Sequence, residues 1–330
     1  MIQHPGILAL LLASGLVCLL LVAAGWQGFR ILRSWNLRSG SESQLDLERR
    51  TYLVSTLVSF ALVIQILSLF LFIFTADGLH TQFVGAMCAA GSLAANAYGY
   101  PTLTAKVATC LVAGLWLVLH RADTQGHDYP LIRPKYALLL LLVPMVLMET
   151  WLQGCYLTGL KADVMTSCCG SLFGQGRQGL ASDLAGLPPH LMQPVFWITF
   201  ASLGATGTFA LRTKHGTALF AFLSLTFFLV AVASLVSFFC LYIYELPTHH
   251  CPFCLLQREH GFVGYPLYAT LLGGTIAGLG AGLLAPFRGQ KSLGAALPRM
   301  QAHLMWCALI LATAFTLIVG IWMALSPLRL

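Results

Sequence analysis

Long apolar runs separated by short polar loops dominate this chain. Eight of the runs are long enough to cross the hydrocarbon core of a bilayer, given roughly 17–25 residues for each helical crossing. The runs lie at 6–26, 52–76, 102–119, 137–157, 195–211, 218–244, 262–284 and 304–325. Because a spanning segment must satisfy its backbone hydrogen bonds internally, we predict an all-α, polytopic bundle of about eight transmembrane helices.

The overall composition supports a membrane protein. Apolar residues make up 58% of the chain and charged residues only 9%, whereas a soluble domain carries about 25% charged residues. The net charge of +7 does not indicate a nucleic-acid partner, because the basic residues are spread over short loops. The sequence also contains no phosphate-binding loop, so we expect no nucleotide.

The basic residues indicate which way the chain crosses the membrane. Most of the 18 lie in the loops after the first, third, fifth and seventh apolar runs. By the positive-inside rule, both termini and the other loops are expected on the non-cytoplasmic side. In a bacterial inner membrane that side is the periplasm, where disulfides persist. We expect one integral membrane domain over 1–330, with candidate sub-bundles at 1–135 and 136–287 and a last helix at 303–325.

A Cys-x-x-Cys pair at the start of the seventh predicted helix carries the strongest chemical signal. Cys251 and Cys254 flank Pro252, which is tolerated in the first turn of a helix. A helix N-terminus stabilises a thiolate, and the thiolate is the attacking species in disulfide exchange. Arg258 follows at helical spacing, so we expect it on the same face as both cysteines. The pattern favours a redox pair.

The same segment also permits other uses. His249 and His250 precede the pair, and the four residues together have ligand types suited to copper or zinc. A structural disulfide is a further alternative. Covalent haem attachment is not expected, because Leu255 stands where that motif requires histidine.

A second cysteine group lies in the glycine-rich loop before the fifth predicted helix. Cys168 and Cys169 are adjacent there, and Cys155 lies just inside the preceding helix. A loop of this composition suits a shuttle that carries a disulfide between a partner protein and a fixed site. Adjacent cysteines form a strained and therefore labile disulfide. Alternatively, Cys155 pairs with one of them, the loop is a static staple, or the sulfurs capture copper(I) or mercury.

The segment Cys251-Pro-Phe-Cys-Leu-Leu-Gln-Arg258 resembles the Cys-x-x-Cys-x-x-x-Arg segment of the DsbB family, membrane oxidases that pass electrons from thiols to quinone. The resemblance implies that Cys251 and Cys254 are the redox pair and that Arg258 borders the quinone. The order of the fourth to seventh helices is similar to the vitamin K epoxide reductase family. There a four-helix unit has loop cysteines after its first helix and Cys-x-x-Cys at the outer end of its fourth.

The leading hypothesis is a membrane thiol–disulfide oxidoreductase. Cys168 and Cys169 would exchange with a periplasmic thioredoxin-like protein, and Cys251 and Cys254 would pass the electrons to a membrane quinone. The residues expected around the quinone are Gln257, Arg258 and His260. The alternatives are a protein or transporter subunit that handles copper, zinc, mercury or haem, and a non-catalytic partner of other membrane subunits with structural disulfides.

Three further residues are candidates because of their positions in apolar sequence. Cys88 lies in an uncharged segment at 83–101, which predicts a re-entrant or interfacial helix with Cys88 and Asn96 facing a pocket. Glu149 lies inside the fourth run, where a charge marks either a proton route or a hydrogen-bonded carboxyl. Lys106 is nearer a helix end, and we expect it to snorkel to the membrane surface.

Overall fold

A computed structural model describes residues 3–35, 42–126, 128–161, 164–166, 180–294 and 296–328. The regular secondary structure of these residues is helical, with one isolated parallel bridge between Val84 and Met165. The helices are α1 (Pro5–Ser34), α2 (Glu42–Gly78), α3 (Ala89–Leu93), α4 (Gly99–Asp123), α5 (Ile132–Thr158), α6 (Leu180–Ala185), α7 (Pro189–Thr213), α8 (Thr217–Ser234), α9 (Cys240–Tyr244), α10 (Gly264–Leu283) and α11 (Ala296–Leu325).

Within the described residues, eight helical segments are long and apolar enough to cross a membrane. One of them, Thr217–Tyr244, combines α8, a π-helical segment at Leu235–Phe239 and α9. The prediction of an all-α bundle with eight spanning helices is confirmed. Most of the helices extend beyond the apolar runs, because polar residues at the run ends also adopt helical backbone, whereas α10 begins two residues inside its run.

The chain divides into two compact units. Unit 1 comprises Met1–Thr75, Asn96–Leu160 and Pro286–Met300, and unit 2 comprises Ala76–Ala95, Lys161–Ala285 and Gln301–Leu330. This division differs from the sub-bundle boundary expected at 135/136. The reason is that α5 packs against α1 and α4 within unit 1. The helix expected to open a four-helix unit resembling vitamin K epoxide reductases therefore belongs to a different unit from Cys251 and Cys254.

Small residues bring the helices of unit 1 close together. A Cβ atom on Gly28 of α1 would lie 2.9 Å from a ring carbon of Tyr136 on α5, and one on Gly25 would lie 3.0 Å from Val143. Helices in a membrane associate through such close contacts, because lipid tails offer no hydrophobic driving force between helices. Trp116 of α4 completes this core and donates its indole N–H to the Lys135 carbonyl.

A buried ion pair joins α4 and α5 in unit 1. Lys106 and Glu149 are each 1% exposed, and the Lys106 Nζ lies 2.7 Å from a Glu149 oxygen. Gln65 donates to the same carboxylate at 2.6 Å, and Thr109 also donates to it. Snorkelling of Lys106 was therefore the wrong expectation, because Glu149 provides a partner inside the bundle. Of the two roles considered for Glu149, the structure shows the hydrogen-bonded carboxyl.

Aromatic residues and glycines build the core of unit 2. Phe196, Phe227 and Phe315 contact one another, with ring centroids 5.7 to 6.3 Å apart. Helix α10 packs against α8, which also packs against α7. A Cβ on Gly278 of α10 would lie 2.1 Å from the Ser224 Oγ of α8, so this contact requires glycine. The tight packing fixes α8 and α10, which lie on either side of the loop that carries Cys251 and Cys254.

Candidate metal centre

Three cysteines of unit 2 converge in one buried cluster. The sulfurs of Cys88, Cys251 and Cys254 all lie within 4.8 Å of one another. Cys88 and Cys251 are 0% exposed and Cys254 is 5% exposed. The Sγ atoms of Cys88 and Cys251 are 3.5 Å apart, whereas a disulfide bond is about 2.05 Å long. The structure thus adds Cys88 to the pair that the Cys-x-x-Cys motif identified.

The imidazole of His249 contacts one sulfur of the cluster. The Nε2 atom of His249 lies 3.4 Å from the Sγ of Cys254, and the ring rests edge-on against Tyr244 at a centroid distance of 4.5 Å. Burial lowers the pKa of His249 below its ordinary value, and the neighbouring Cys88 sulfur opposes that shift without reversing it. The imidazole is therefore neutral at pH 7, which is the form that coordinates metals.

The adjacent histidine points elsewhere. His250 Nδ1 hydrogen-bonds the Val236 carbonyl at 2.8 Å. Val236 lies in the π-helical segment, where the wider turn disturbs the regular hydrogen-bond ladder. The structure therefore favours His249 over His250 as the nitrogen donor, because His249 contacts a cluster sulfur and the contact of His250 is with the Val236 carbonyl. Cys88 takes its place beside His249, Cys251 and Cys254.

Two tyrosines fix the loop that carries the motif. The Tyr244 hydroxyl donates to the Cys251 carbonyl at 2.7 Å, and the Tyr268 hydroxyl donates to the Pro252 carbonyl at 2.6 Å. A 3₁₀ turn follows at Cys254–Leu256. With both carbonyls bonded, the backbone between the cysteines is held in one conformation.

The segment that carries Cys88 is extended. Cys88 has φ −160° and ψ −175°, and successive side chains of an extended chain face opposite sides. Met87 is accordingly 65% exposed whereas Cys88 is buried. Upstream, the Val84 carbonyl accepts a hydrogen bond from the Thr166 amide at 2.9 Å. In the segment predicted to form a re-entrant or interfacial helix, the structure has the five-residue α3, which begins directly after Cys88.

The cysteine pair does not open a helix, contrary to expectation. Helix α10 begins only at Gly264, after two 3₁₀ turns at Cys254–Leu256 and Arg258–His260. Between these turns Gln257 is extended, with φ −82° and ψ 158°, and Phe262 has a positive φ of 56°. The pair therefore gains no stabilisation from the α10 N-terminus, and the helical face expected to join it to Arg258 is not formed.

The residues expected around a quinone have different environments. The Gln257 side chain donates to the Met87 carbonyl at 2.8 Å and to Asp77 Oδ1 at 3.3 Å. Arg258 is exposed. The His260 ring packs against Tyr244 at a centroid distance of 4.7 Å, and burial lowers its pKa. Gln257 thus contacts the Cys88 segment, which its position in the sequence did not indicate.

The other sequence candidates are not part of this cluster. Cys168 and Cys169 lie outside the described residues. Cys155 is half-buried in α5, and Glu149 lies with it in unit 1. Asn96, expected to face a pocket with Cys88, instead donates its side-chain amide to the Tyr156 carbonyl at 3.0 Å.

The three sulfurs lie close enough to bind one ion, and the His249 nitrogen lies close to one of them. With Zn–S of about 2.3 Å and Zn–N of about 2.0–2.1 Å, neighbouring ligands are roughly 3.8 Å apart for two sulfurs and roughly 3.6 Å apart for a sulfur and a nitrogen. The observed separations are 3.5 Å for Cys88 and Cys251 and 3.4 Å for His249 and Cys254. Three thiolates and an imidazole are also a donor set that soft metal ions prefer.

The fold and the cluster together define a helical membrane protein with three buried thiols close together and a half-buried imidazole beside one of them. Comparison with protein-family models, with curated proteins and with solved structures gave no match.

Proposed function

We propose that this membrane protein binds a soft metal ion, Zn²⁺ or Cu⁺, through Cys88, Cys251, Cys254 and His249. The observation that carries the proposal is the cluster itself, with three buried sulfurs within 4.8 Å of one another and an imidazole nitrogen 3.4 Å from one of them. Thiolate and neutral imidazole bind both ions.

Burial supports metal binding over exchange with another protein. Cysteines that react with partner proteins are partly exposed and lie in electropositive surroundings, whereas buried thiols are generally inert. Cys88 and Cys251 are fully buried. A bound cation would compensate the cost of burying thiolates, because it supplies the opposite charge in their immediate neighbourhood. Zn²⁺ compensates one more unit of charge than Cu⁺, which favours the divalent ion in a buried site.

A thiol–disulfide oxidoreductase is the second candidate. It is favoured by the contact between Cys88 and Cys251 and by the resemblance of Cys251–Arg258 to DsbB-type oxidases. Oxidation of the Cys251 and Cys254 thiols to a disulfide would transfer two electrons and two protons to a membrane quinone and yield the quinol. A thioredoxin-like protein would then supply the thiols that reduce the disulfide again.

The first experiment measures metal in the purified protein. We expect about one zinc or copper per chain by mass spectrometry. The content should fall sharply in Cys251→Ser and His249→Ala and remain normal in the matched control Cys110→Ser. Cys110 is also a buried cysteine, but it lies in α4 of unit 1. A metal-free protein whose Cys251 and Cys254 change thiol state with added quinone would replace the metal proposal by the oxidoreductase.

We infer that the protein lies in a bacterial inner membrane, with both termini and the metal centre on the periplasmic side. The support is the excess of basic residues in alternate loops, including Arg212 and Lys214. In a variant without other reactive cysteines, a membrane-impermeant maleimide should label Glu245→Cys in intact spheroplasts. Lys214→Cys should react only after permeabilisation. The reverse pattern would overturn this orientation.

A further inference from the structure

The four proposed ligands come from two distant parts of the chain. His249, Cys251 and Cys254 belong to one short loop, whereas Cys88 precedes Cys251 by 163 residues. The loop keeps its own three donors close together through local geometry. Cys88 is therefore the ligand whose position depends on contacts between separate segments.

The Gln257 side chain makes one such contact. Gln257, three residues after Cys254, donates to the carbonyl of Met87 at 2.8 Å. Its amide also lies 3.3 Å from Asp77 Oδ1, and the same carboxylate oxygen accepts the Ala89 amide at 3.1 Å. The residues on both sides of Cys88 are thus tied to Gln257, one directly and one through Asp77.

We propose that Gln257 is a latch that holds Cys88 in the metal centre and sets the rate at which the ion is released. This inference rests on the proposed metal binding. Gln257 is a positioning residue, because its side chain acts on Cys88 through Met87 and Asp77. Loss of a hydrogen bond to a metal ligand typically costs roughly 10–100-fold in metal affinity, which gives the scale expected for bonds that act on Cys88 through its neighbouring residues.

The surroundings of Gln257 suit a residue that controls metal release. Gln257 is only half-buried, so water competes for its two acceptors, whereas the cluster sulfurs are buried. When the latch opens, the Cys88 segment is released from the loop and the three remaining donors become accessible. Breaking these two hydrogen bonds at the surface is then one of the steps that admit or release the ion, beside the separation of Cys88 from its buried packing.

The decisive variant is Gln257→Glu. The carboxylate has the same length, but when ionised it donates to neither acceptor and is repelled by Asp77. We expect the Zn²⁺-loaded full-length variant to transfer its ion to a chromophoric chelator roughly 10–100-fold faster than the wild type. With Co²⁺ as the probe, its sulfur-to-metal absorption should weaken, since Cys88 coordinates less of the time. Arg258→Ala, at the adjacent exposed residue, should match the wild type in both measurements.

Two further variants separate the latch from a general loss of structure. Gln257→Met keeps the length without a charge and should show the same faster release, so the result does not depend on the folding of the glutamate variant. Gln257→Glu combined with Asp77→Asn restores a donor–acceptor pair between the two positions and should recover part of the slow release.

The outcomes distinguish the two proposals. Wild-type release rates and Co²⁺ spectra in both single variants would overturn the latch and leave the metal centre in place. A wild-type protein that binds neither Zn²⁺ nor Co²⁺ would overturn the metal centre and the latch together.

Discussion

The sulfur of Cys88 lies 3.5 Å from the sulfur of Cys251, although 163 residues separate them along the chain. Such a contact forms only when the unit that contains both residues is folded. It joins a loop with no recognisable motif to a loop with a well-known motif. Neither loop alone therefore supplies all the sulfurs of the cluster, which makes Cys88 the most informative residue to change.

Cys88→Ser should lower metal affinity by more than the 10–100-fold expected for loss of a supporting hydrogen bond, since it removes a ligand. Serine keeps the approximate volume, so the change should affect the centre more than the packing. Competition with a chelator of known affinity measures the effect, and Cys110→Ser is the control. Equal affinity in the two variants would exclude Cys88 from the centre.

Bound metal should protect three cysteines from alkylation. In membranes loaded with Zn²⁺, Cys88, Cys251 and Cys254 should react slowly with maleimide because their sulfurs are coordinated and buried. A strong chelator should raise their reactivity together, while Cys307, which is exposed, should react equally in both conditions. Peptide mapping by mass spectrometry gives the reactivity of each cysteine. Protection of Cys251 and Cys254 without Cys88 would contradict the proposed ligand set.

Metal removal should also lower the stability of the folded protein. An ion that binds only the folded state stabilises it by about 2.7 kcal/mol when its free concentration is about 100 times Kd. Thermal unfolding in detergent should therefore shift to lower temperature after chelation and return with added Zn²⁺. The His249→Ala variant should show little response to either treatment, and a full response from it would contradict the role of that imidazole.

The sequence alone predicted the spanning helices, but it predicted only some of the residues of the metal centre. Each apolar run is long enough to specify a spanning helix by itself, because lipid leaves the backbone no other hydrogen-bond partners. The spacing of Cys251 and Cys254 likewise identifies them without a structure. Cys88 gave a weaker signal, as a cysteine in an uncharged loop predicted on the same side of the membrane.

The choice between His249 and His250 could not be made from sequence, because it depends on which ring the folded loop places against the Cys254 sulfur. The seventh spanning helix was predicted to start before Pro252, which is too early, because the start depends on a backbone conformation that the local sequence did not indicate. Pro252 suits a first helical turn, but the positive φ of Phe262 interrupts the backbone before α10 begins. A positive φ is uncommon for a bulky residue, so the local sequence did not indicate it.

The buried pair of unit 1 predicts a strong single-residue effect. Glu149→Gln leaves the Lys106 ammonium without its charged partner and should destabilise the protein by roughly 3–5 kcal/mol, as is typical when one member of a buried ion pair is removed. The double variant Lys106→Met with Glu149→Gln should recover a substantial part of this loss. Thermal unfolding measures both, and equal instability of the single and double variants would show that the pair is not coupled.

The packing of α8 against α10 predicts a steric effect that can be reversed. A Cβ at Gly278 would lie 2.1 Å from the Ser224 Oγ and 2.5 Å from its Cβ. Gly278→Ala should therefore destabilise unit 2 by roughly 1–3 kcal/mol, which is typical of overpacking. Ser224→Gly removes both clashing atoms, so the double variant should regain stability relative to Gly278→Ala.

Gly204→Ala is the matched control in α7, where an added Cβ meets nothing within 4 Å. If Gly278→Ala and Gly204→Ala unfold at the same temperature, the close approach of α8 and α10 is not maintained in the membrane protein.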